Sequence, residues 1–375
     1  MKLSQSAFVG IITVSIAAVV GGYVWTLRND GGEKLLNQFD QTMAPDNDLI
    51  LTDDAVLKSY ITQYGPTPTM RVIMTASDRA GIDCHNRAHQ FGRMSYEEFG
   101  DELMKLNLPE CHSGFYHGAI EAYFKEHGTD NLAEKLSFIC PDNLNMFFMH
   151  QCRHGIGHGL MAWSSYDLPA TLDYCGLMND DMGKGSCRTG AFMENIVGSL
   201  TNSPEARADG HFTKFLSDDP QYPCNIVKEE YKSDCYFLQT DHMFALSKNG
   251  VQGIVDACMN APEQYHFSCF ASMGRTIGGL NRGRPEQAIK DCQLIPGQSD
   301  RIDCIMAVAK DYLWDPSGQE GGLRFCDLVP LEDGKMQCYL ALSEHARAVL
   351  SSEQLVSFCT RVPQELSAVC LAFSS

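Results

Sequence analysis

The sequence predicts an all-α fold, a right-handed α-solenoid of helix pairs of about 34 residues that disulfides staple together, preceded by a transmembrane anchor. Three observations predict this fold. Fourteen of the sixteen cysteines form couples that recur, with one exception, at intervals of 33 to 35 residues, amphipathic segments flank them, and an uncharged apolar segment lies near the N-terminus. The 375 residues suffice for one long repeat array or for two to three compact domains.

The first element is the segment 7–27, AFVGIITVSIAAVVGGYVWTL, which is uncharged and long enough to cross a bilayer as a helix. Lys2 precedes it, whereas Arg28 and the acidic residues Asp30 and Glu33 follow it. This weak charge asymmetry favours an N-terminus inside and a body outside. Because no small-x-small cleavage site stands out, we expect an uncleaved signal anchor over 1–28, with a cleaved signal peptide as the alternative. Residues 29–60 are predicted to form a stalk.

Charge and cysteine content restrict the location and the partners. The net charge of −18 argues against nucleic acid as a partner, because nucleic-acid binding needs a basic surface. Phosphate-binding glycine motifs are absent, so the sequence gives no support for a nucleotide. An even number of cysteines, sixteen, indicates an oxidising compartment. We therefore expect a membrane-anchored protein whose body is periplasmic or extracellular.

The cysteines predict the helix-pair repeat. From Cys140 onward they form seven couples, and the first members of successive couples lie 35, 49, 34, 34, 34 and 33 residues apart. Amphipathic segments predict a B helix that ends at the first cysteine of each couple and an A helix that starts at the second. The sequence alone does not fix the connectivity, that of Cys84 and Cys111 least of all. The expected disulfides are Cys84–Cys111, Cys140–Cys152, Cys175–Cys187, Cys224–Cys235, Cys258–Cys269, Cys292–Cys304, Cys326–Cys338 and Cys359–Cys370.

Helix pairs of this length, with cysteines at these ends, resemble the cysteine-rich Sel1-like and tetratricopeptide solenoids. The resemblance covers roughly residues 84–375 and implies architecture only, because fold does not fix function. We expect His-rich N-terminal repeats over 61–223 and regular disulfide-linked repeats over 224–375. The one long interval places an insertion at 196–216, which we expect to be a loop and a candidate lid.

Histidines concentrate in the N-terminal repeats, where eight of the twelve lie within 85–158. On each of three predicted helices, two side chains four residues apart share one face, an arrangement that chelates metal ions. The pairs are His85 with His89, His117 with Glu121, and His154 with His158. Because neighbouring A helices of a solenoid pack side by side, we expect His117 and His158 to reach one ion. Glu194 on the following helix is placed to add a carboxylate. The candidate metal ligands are His85, His89, His117, Glu121, His154 and His158.

With the thiols in disulfides, imidazole and carboxylate ligands predict a transition metal, namely Fe, Cu or Zn. Glu121 and Glu194 are the candidate catalytic residues, each as a ligand, an orienting group or a general base. A metal-free polar network and a haem held by paired histidines are the alternatives. His150 is placed to share the face of His154. The other histidines are expected to be ordinary satisfied or solvated side chains: His112, His127, His211, His266 and His345.

Glycines accompany the histidine pairs, although each interior glycine costs a helix about 1 kcal/mol relative to alanine. Two explanations remain open, close packing of helices and space left above a metal for substrate. The glycines concerned are Gly114, Gly118, Gly155, Gly157, Gly159 and Gly190.

Three functions are compatible with this sequence. The first is a metal-dependent enzyme, redox or hydrolytic, although no nucleophile with a dedicated base identifies a reaction. The second is an interaction scaffold for an envelope protein, since solenoids present long binding surfaces. The third is metal storage or delivery without catalysis. Asp241 and His242 are expected to line a groove near the site.

Overall fold

The computed structural model describes residues 44–372 apart from 83, 107, 109, 141–145, 201–212 and 315. Within these residues the regular structure is entirely helical, which confirms the predicted class. The helices are α1 (Asp54–Tyr64), α2 (Pro66–Ala80), α3 (His85–Phe99), α4 (Gly114–His127), α5 (Leu132–Ile139), α6 (Met146–Trp163), α7 (Leu168–Cys175), α8 (Asp181–Leu200), α9 (Glu229–Tyr236), α10 (Thr240–Leu246), α11 (Val251–Met259), α12 (His266–Leu280), α13 (Pro285–Gln293), α14 (Gln298–Tyr312), α15 (Gln319–Leu328), α16 (Lys335–Val349), α17 (Ser352–Cys359) and α18 (Gln364–Leu371).

The predicted transmembrane segment 7–27 lies outside the described residues. Among the helices that the structure does describe, none has both the length and the apolar character needed to cross a bilayer.

The chain divides into two compact units between Ala119 and Ile120, within α4. The first unit contains α1, α2, α3 and the first turns of α4. In it, Arg79 near the end of α2 forms ion pairs with Asp46 and Asp48 at 2.7 and 2.6 Å. These contacts tie the described end of the predicted stalk to α2.

All eight expected disulfides are present, including the pair Cys84–Cys111. The helix boundaries differ from those predicted in two respects. The longer helices begin before the second cysteine of a couple, as α14 does at Gln298, six residues ahead of Cys304. Cys224 lies in a turn and does not end a helix.

The longer helices of the second unit contact one another in chain order, and the last helix of this series also contacts its first helix, α6. The order is α6, α8, α9 with α10, α12, α14 and α16, and α16 contacts α6. Phe147 of α6 lies against Trp314 and His345, with ring centroids 5.7 and 5.5 Å apart. Repeats of an open array contact only their neighbours. The helix pairs of this unit instead curve back upon themselves, around one hydrophobic core that extends from Phe147 to Cys370.

The insertion at 196–216 is only partly the loop that we expected. Helix α8 extends to Leu200, so the first residues of the insertion are helical. Residues 201–212 lie outside the described part of the chain. At its far end the insertion is fixed to α8, because the side-chain amide of Asn195 donates to the carbonyl of Phe215 at 2.9 Å.

Close backbone packing explains the glycines. A Cβ built on Gly118 of α4 would lie 1.9 Å from the carbonyl oxygen of His89 in α3. A Cβ on Gly190 of α8 would lie 1.9 Å from the carbonyl oxygen of His154 in α6. Both distances are far below van der Waals contact, so these positions need glycine. The glycines thereby set the short helix-to-helix distances on which the histidine geometry depends.

Candidate metal centres

The first unit brings three histidines together. His85 and His89 lie four residues apart on α3, and His117 lies on α4. The Nε2 atoms of His85 and His89 are 3.2 Å apart, and the Nδ1 of His117 is 3.1 Å from the Nε2 of His89. Sequence reasoning expected these three residues as ligands but left the convergence of α3 with α4 uncertain. The structure places them within reach of one ion.

The disulfide Cys84–Cys111 lies directly beside this cluster. The Nδ1 of His85 donates to the backbone carbonyl of Cys111 at 2.9 Å. Since a neutral imidazole carries one N–H, this bond turns the Nε2 of His85, rather than its Nδ1, toward His89, and the neutral ring is the form that binds a metal.

The second unit contains a separate pair, His154 and His158, on α6. Both side chains are buried, with 7% and 3% of their surface exposed, and their Nε2 atoms lie 3.2 Å apart. The other ring nitrogens face α8, where the Nδ1 of His154 lies 3.0 Å from Thr189 Oγ1. The Nδ1 of His158 lies 2.7 Å from Glu194 Oε2. The spacing of four along α6 thus directs one nitrogen of each ring to a common point.

The hydrogen-bond network fixes the tautomers of this pair. The hydroxyl of Thr189 donates to the carbonyl of Ser186 at 2.8 Å, so it accepts from the Nδ1–H of His154. The carboxylate of Glu194 accepts from Tyr166 at 2.9 Å and from His158. The Nε2 atoms are therefore the nitrogens that the two rings turn toward each other. Such an arrangement can hold a cation between the two rings, either a metal ion or a shared proton.

Two sequence predictions about ligands remain predictions. Glu121 lies half-buried on the part of α4 that belongs to the second unit, and the ligand groups found among the described residues do not include it. His117 and His158 fall in different units, each described by itself. Their binding of one shared ion stays a prediction.

Sequence reasoning missed Thr189 and Tyr166, which orient the second-unit site through His154 and Glu194. In the sequence, Thr189 stands two residues after Cys187, as His154 stands two residues after Cys152, and this shared repeat position was the available signal. Tyr166 had no periodic signal, because it lies in the turn after α6. The structure adds only an orienting role for Glu194, whose predicted catalytic role stays a prediction.

The remaining histidines divide into two groups. His127 packs on Tyr123 and His266 bonds a backbone carbonyl, as expected of satisfied side chains. His242, which was expected to line a groove near the site, lies 2.9 Å from the backbone carbonyl of Ser217, and its predicted place in a groove stays a prediction. His150 and His345 face a cavity in the second unit, which sequence reasoning did not foresee for His345. His211 and the side chain of His112 lie outside the described part of the structure.

Comparison of the chain with models of protein families, with curated proteins and with solved structures finds no match. The resemblance to Sel1-like and tetratricopeptide solenoids therefore stays an expectation of architecture. Fold and sites together define an all-helical, disulfide-bonded protein with buried histidine clusters of a kind that can hold a metal ion.

Proposed function

We propose that this protein binds a transition-metal ion between His154 and His158, held in position by Thr189 and Glu194. The spacing of the two Nε2 atoms, 3.2 Å apart, carries this proposal. Two nitrogen ligands at Zn–N distances of 2.0–2.1 Å in a tetrahedral site lie about 3.3 Å from each other. The observed spacing already matches that of two ligands on one ion. A carboxylate bonded to the second nitrogen of a ligating histidine is the usual supporting arrangement in metal sites.

A second ion is proposed for the first unit, bound by His85, His89 and His117. The contacts of 3.2 and 3.1 Å between their ring nitrogens support this site. Three histidine ligands leave one position of a tetrahedral ion open, which is typical of catalytic metal sites. This composition supports a metal-dependent enzyme, redox or hydrolytic, over a storage protein.

Iron, copper and zinc are the proposed ions. No cysteine of the chain is a free thiol, so thiolate ligands are excluded and imidazole and carboxylate remain. The choice among the three ions decides whether the chemistry is redox or hydrolytic. Glu194 orients His158 in this proposal, and Glu121 stays the candidate general base.

The location and finer architecture are also part of the proposal. Residues 7–27 would anchor the chain in a membrane, and the eight disulfides fit a body in an oxidising compartment, periplasmic or extracellular. The helix pairs would wind with the right-handed sense of solenoid repeats, and in the second unit that winding returns α16 to α6. An envelope protein partner stays an expectation from the sequence.

Ligand-induced stabilisation tests the proposal. A metal that binds only the folded chain at about 100 times its Kd raises the free energy of unfolding by about 2.7 kcal/mol. We expect Zn²⁺ or Cu²⁺ to raise the Tm of the chelator-treated full chain, and His154→Ala/His158→Ala to diminish that rise. A double variant at two histidines outside the clusters, His127→Ala/His266→Ala, is the control. An equal rise in Tm in all three proteins contradicts the second-unit site.

A further inference from the structure

The second unit contains a partly open cavity of about 400 Å³, lined mainly by its longer helices. Small-molecule sites of proteins have volumes of about 300–1,000 Å³, so the cavity has the size of a ligand site. Its wall is built from α6, α8, α12, α14 and α16 together with the turn after α9. The contact of α16 with α6 completes this wall.

Most of the wall is apolar and rich in aromatic rings and methionines. Three large apolar side chains of the wall are exposed, Met146, Phe237 and Phe267, at 73%, 36% and 63%. Side chains of this size usually bury more of their surface. The aromatic and methionine members of the wall are Phe147, Phe237, Phe267, Trp314, Met146, Met193 and Met306.

His345 places a hydrogen-bond acceptor in this wall. A backbone hydrogen bond to Leu313 occupies one ring nitrogen, and burial lowers the pKa of His345 to about 4, so the ring is neutral at pH 7. Its Nε2 is buried and has no hydrogen-bond partner within the part of the chain that the structure describes. A buried acceptor without a partner is costly, so a donor supplied by a ligand would be favoured there.

His150 adds a second acceptor. The Oγ of Ser186 donates to the carbonyl of Met182 at 2.7 Å, so it accepts from the Nδ1–H of His150 at 2.7 Å. The Nε2 of His150 is therefore also a lone pair. The wall thus offers two neutral acceptors, and a ligand that fits it carries a donor.

The basic groups of the wall are already engaged. Arg275 pairs with Asp241 at 2.8 Å, and Lys310 pairs with Glu344 at 3.2 Å. A carboxylate of the wall, that of Asp311, lies 3.7 Å from Arg282. The other acid, Asp303, is half-buried, and burial raises its pKa to about 6. These pairings favour a neutral ligand over an organic anion.

We propose that this cavity binds a neutral aromatic molecule with a hydroxyl donor, that is, a ligand of the phenol class. Its ring packs among the aromatic and methionine side chains of the wall, and its hydroxyl donates to the Nε2 of His345. His154 also lines the cavity, so the ligand lies beside the proposed metal site. Binding does not depend on an ion, because the acceptor and the apolar wall belong to the protein.

A matched pair of probes tests the proposal with the chelator-treated full chain in detergent. We would titrate 2-naphthol and 2-methoxynaphthalene by calorimetry, with the same micelles without protein as the blank. The two molecules share the ring system, but only the first has a hydroxyl donor. We expect 2-naphthol to bind about tenfold more tightly, because only it satisfies the buried acceptor. The absence of binding by either probe, or equal affinities for both, would overturn the proposal.

Three variants locate the effect. His345→Leu should lower the affinity for 2-naphthol to that for the methyl ether, whereas His266→Leu, at a histidine outside the cavity, should leave the ratio unchanged. Met306→Trp should weaken binding of both probes by filling the cavity. Persistence of the preference in a folded His345→Leu protein would contradict the proposed role of its Nε2. Repeating the titration with bound Zn²⁺ separates this inference from the metal site, since binding is expected in both forms.

Discussion

Glu194 of α8 accepts the Nδ1 proton of His158 of α6 across 2.7 Å, and the opposite nitrogen of that imidazole faces His154 at 3.2 Å. The carboxylate thereby fixes which nitrogen of His158 faces His154 and the proposed ion. Tyr166 holds the second oxygen of the same carboxylate at 2.9 Å. Contacts between the two neighbouring helices thus orient the His158 ring so that its Nε2 faces the Nε2 of His154.

Replacement of Glu194 by glutamine should weaken metal binding. The side chain keeps its size but loses the charge that orients His158, and loss of such supporting groups lowers metal affinity about 10–100-fold. Competition against a chelator of known affinity measures the change. Glu344→Gln, which removes the exposed partner of Lys310, is the matched control and should leave the affinity unchanged. An unaltered Kd in Glu194→Gln would show that the carboxylate has no role in the site.

Alanine at Gly190 should destabilise the protein and weaken its metal site together. The added Cβ meets the carbonyl oxygen of His154 at 1.9 Å, so α6 and α8 must move apart, and such overpacking costs about 1–3 kcal/mol. At Gly321 in α15 a Cβ meets nothing within 4 Å, and alanine there should be neutral or stabilise by up to about 1 kcal/mol. Denaturant unfolding of both variants makes the comparison. Equal stabilities would contradict the packing explanation of the glycines.

Removal of one particular disulfide should impair the first-unit metal site. Cys84→Ala/Cys111→Ala releases the carbonyl that holds the Nδ1 of His85, so affinity at this cluster should fall. Cys292→Ala/Cys304→Ala removes a bridge of the second unit and should cost about 2–3 kcal/mol of stability, as expected for short loops, without changing that affinity. Metal titrations of the two variants, made in a His154→Ala/His158→Ala background, report on the first unit alone. Equal loss of affinity in both would show that the disulfide acts only through global stability.

The buried imidazole of His345 should make stability depend on pH. Its pKa of about 4 lies below the ordinary value of 6.5, so between these values the unfolded chain binds a proton that the folded chain does not. The free energy of unfolding therefore falls as the pH falls from about 6.5 to about 4, by at most about 3 kcal/mol. Lys310, Glu344 and His150 are the charged or titratable groups that influence this ring.

The comparison of wild type with His345→Phe isolates this contribution. Asp303 and Asp311 have pKa values raised to about 6 by burial, and they change stability in the opposite direction over the same pH range. The difference between the two proteins cancels those carboxylates. We expect the variant to lose less stability than wild type between pH 7 and pH 4.5 in urea unfolding. Parallel pH profiles would contradict a neutral His345 in the folded chain.

The repeat and its disulfides could be predicted because both are local in sequence. The two cysteines of each couple are 11 or 12 residues apart, and a helix pair brings such positions together wherever it occurs. The contacts of Phe147 with Trp314 and His345 could not be predicted, since they join distant repeats and leave no periodic pattern. The cavity depends on these contacts between distant repeats. The sequence therefore offers no reason to expect His345 in a cavity wall, and it was predicted to be an ordinary satisfied or solvated side chain.

The metal sites were predictable in part for the same reason. Helical periodicity places His154 and His158 on one face, so their pairing follows from the sequence. The tautomers depend on the hydroxyl of Thr189 and on the register of α8 against α6, which close approach at Gly190 sets. That register is a tertiary property, so the sequence indicates Glu194 as a candidate without showing which histidine nitrogen it contacts.

The metal content of the purified full chain tests the central claim most directly. The protein would be produced in an oxidising compartment, exposed to Fe²⁺, Cu²⁺ or Zn²⁺, desalted and measured by elemental mass spectrometry beside His154→Ala/His158→Ala and His127→Ala/His266→Ala. We predict bound metal in wild type and in the second variant, and a loss of at least one equivalent in the first. Equal metal content in all three proteins, or none after reconstitution, would contradict the metal site and leave a shared proton between the two imidazoles.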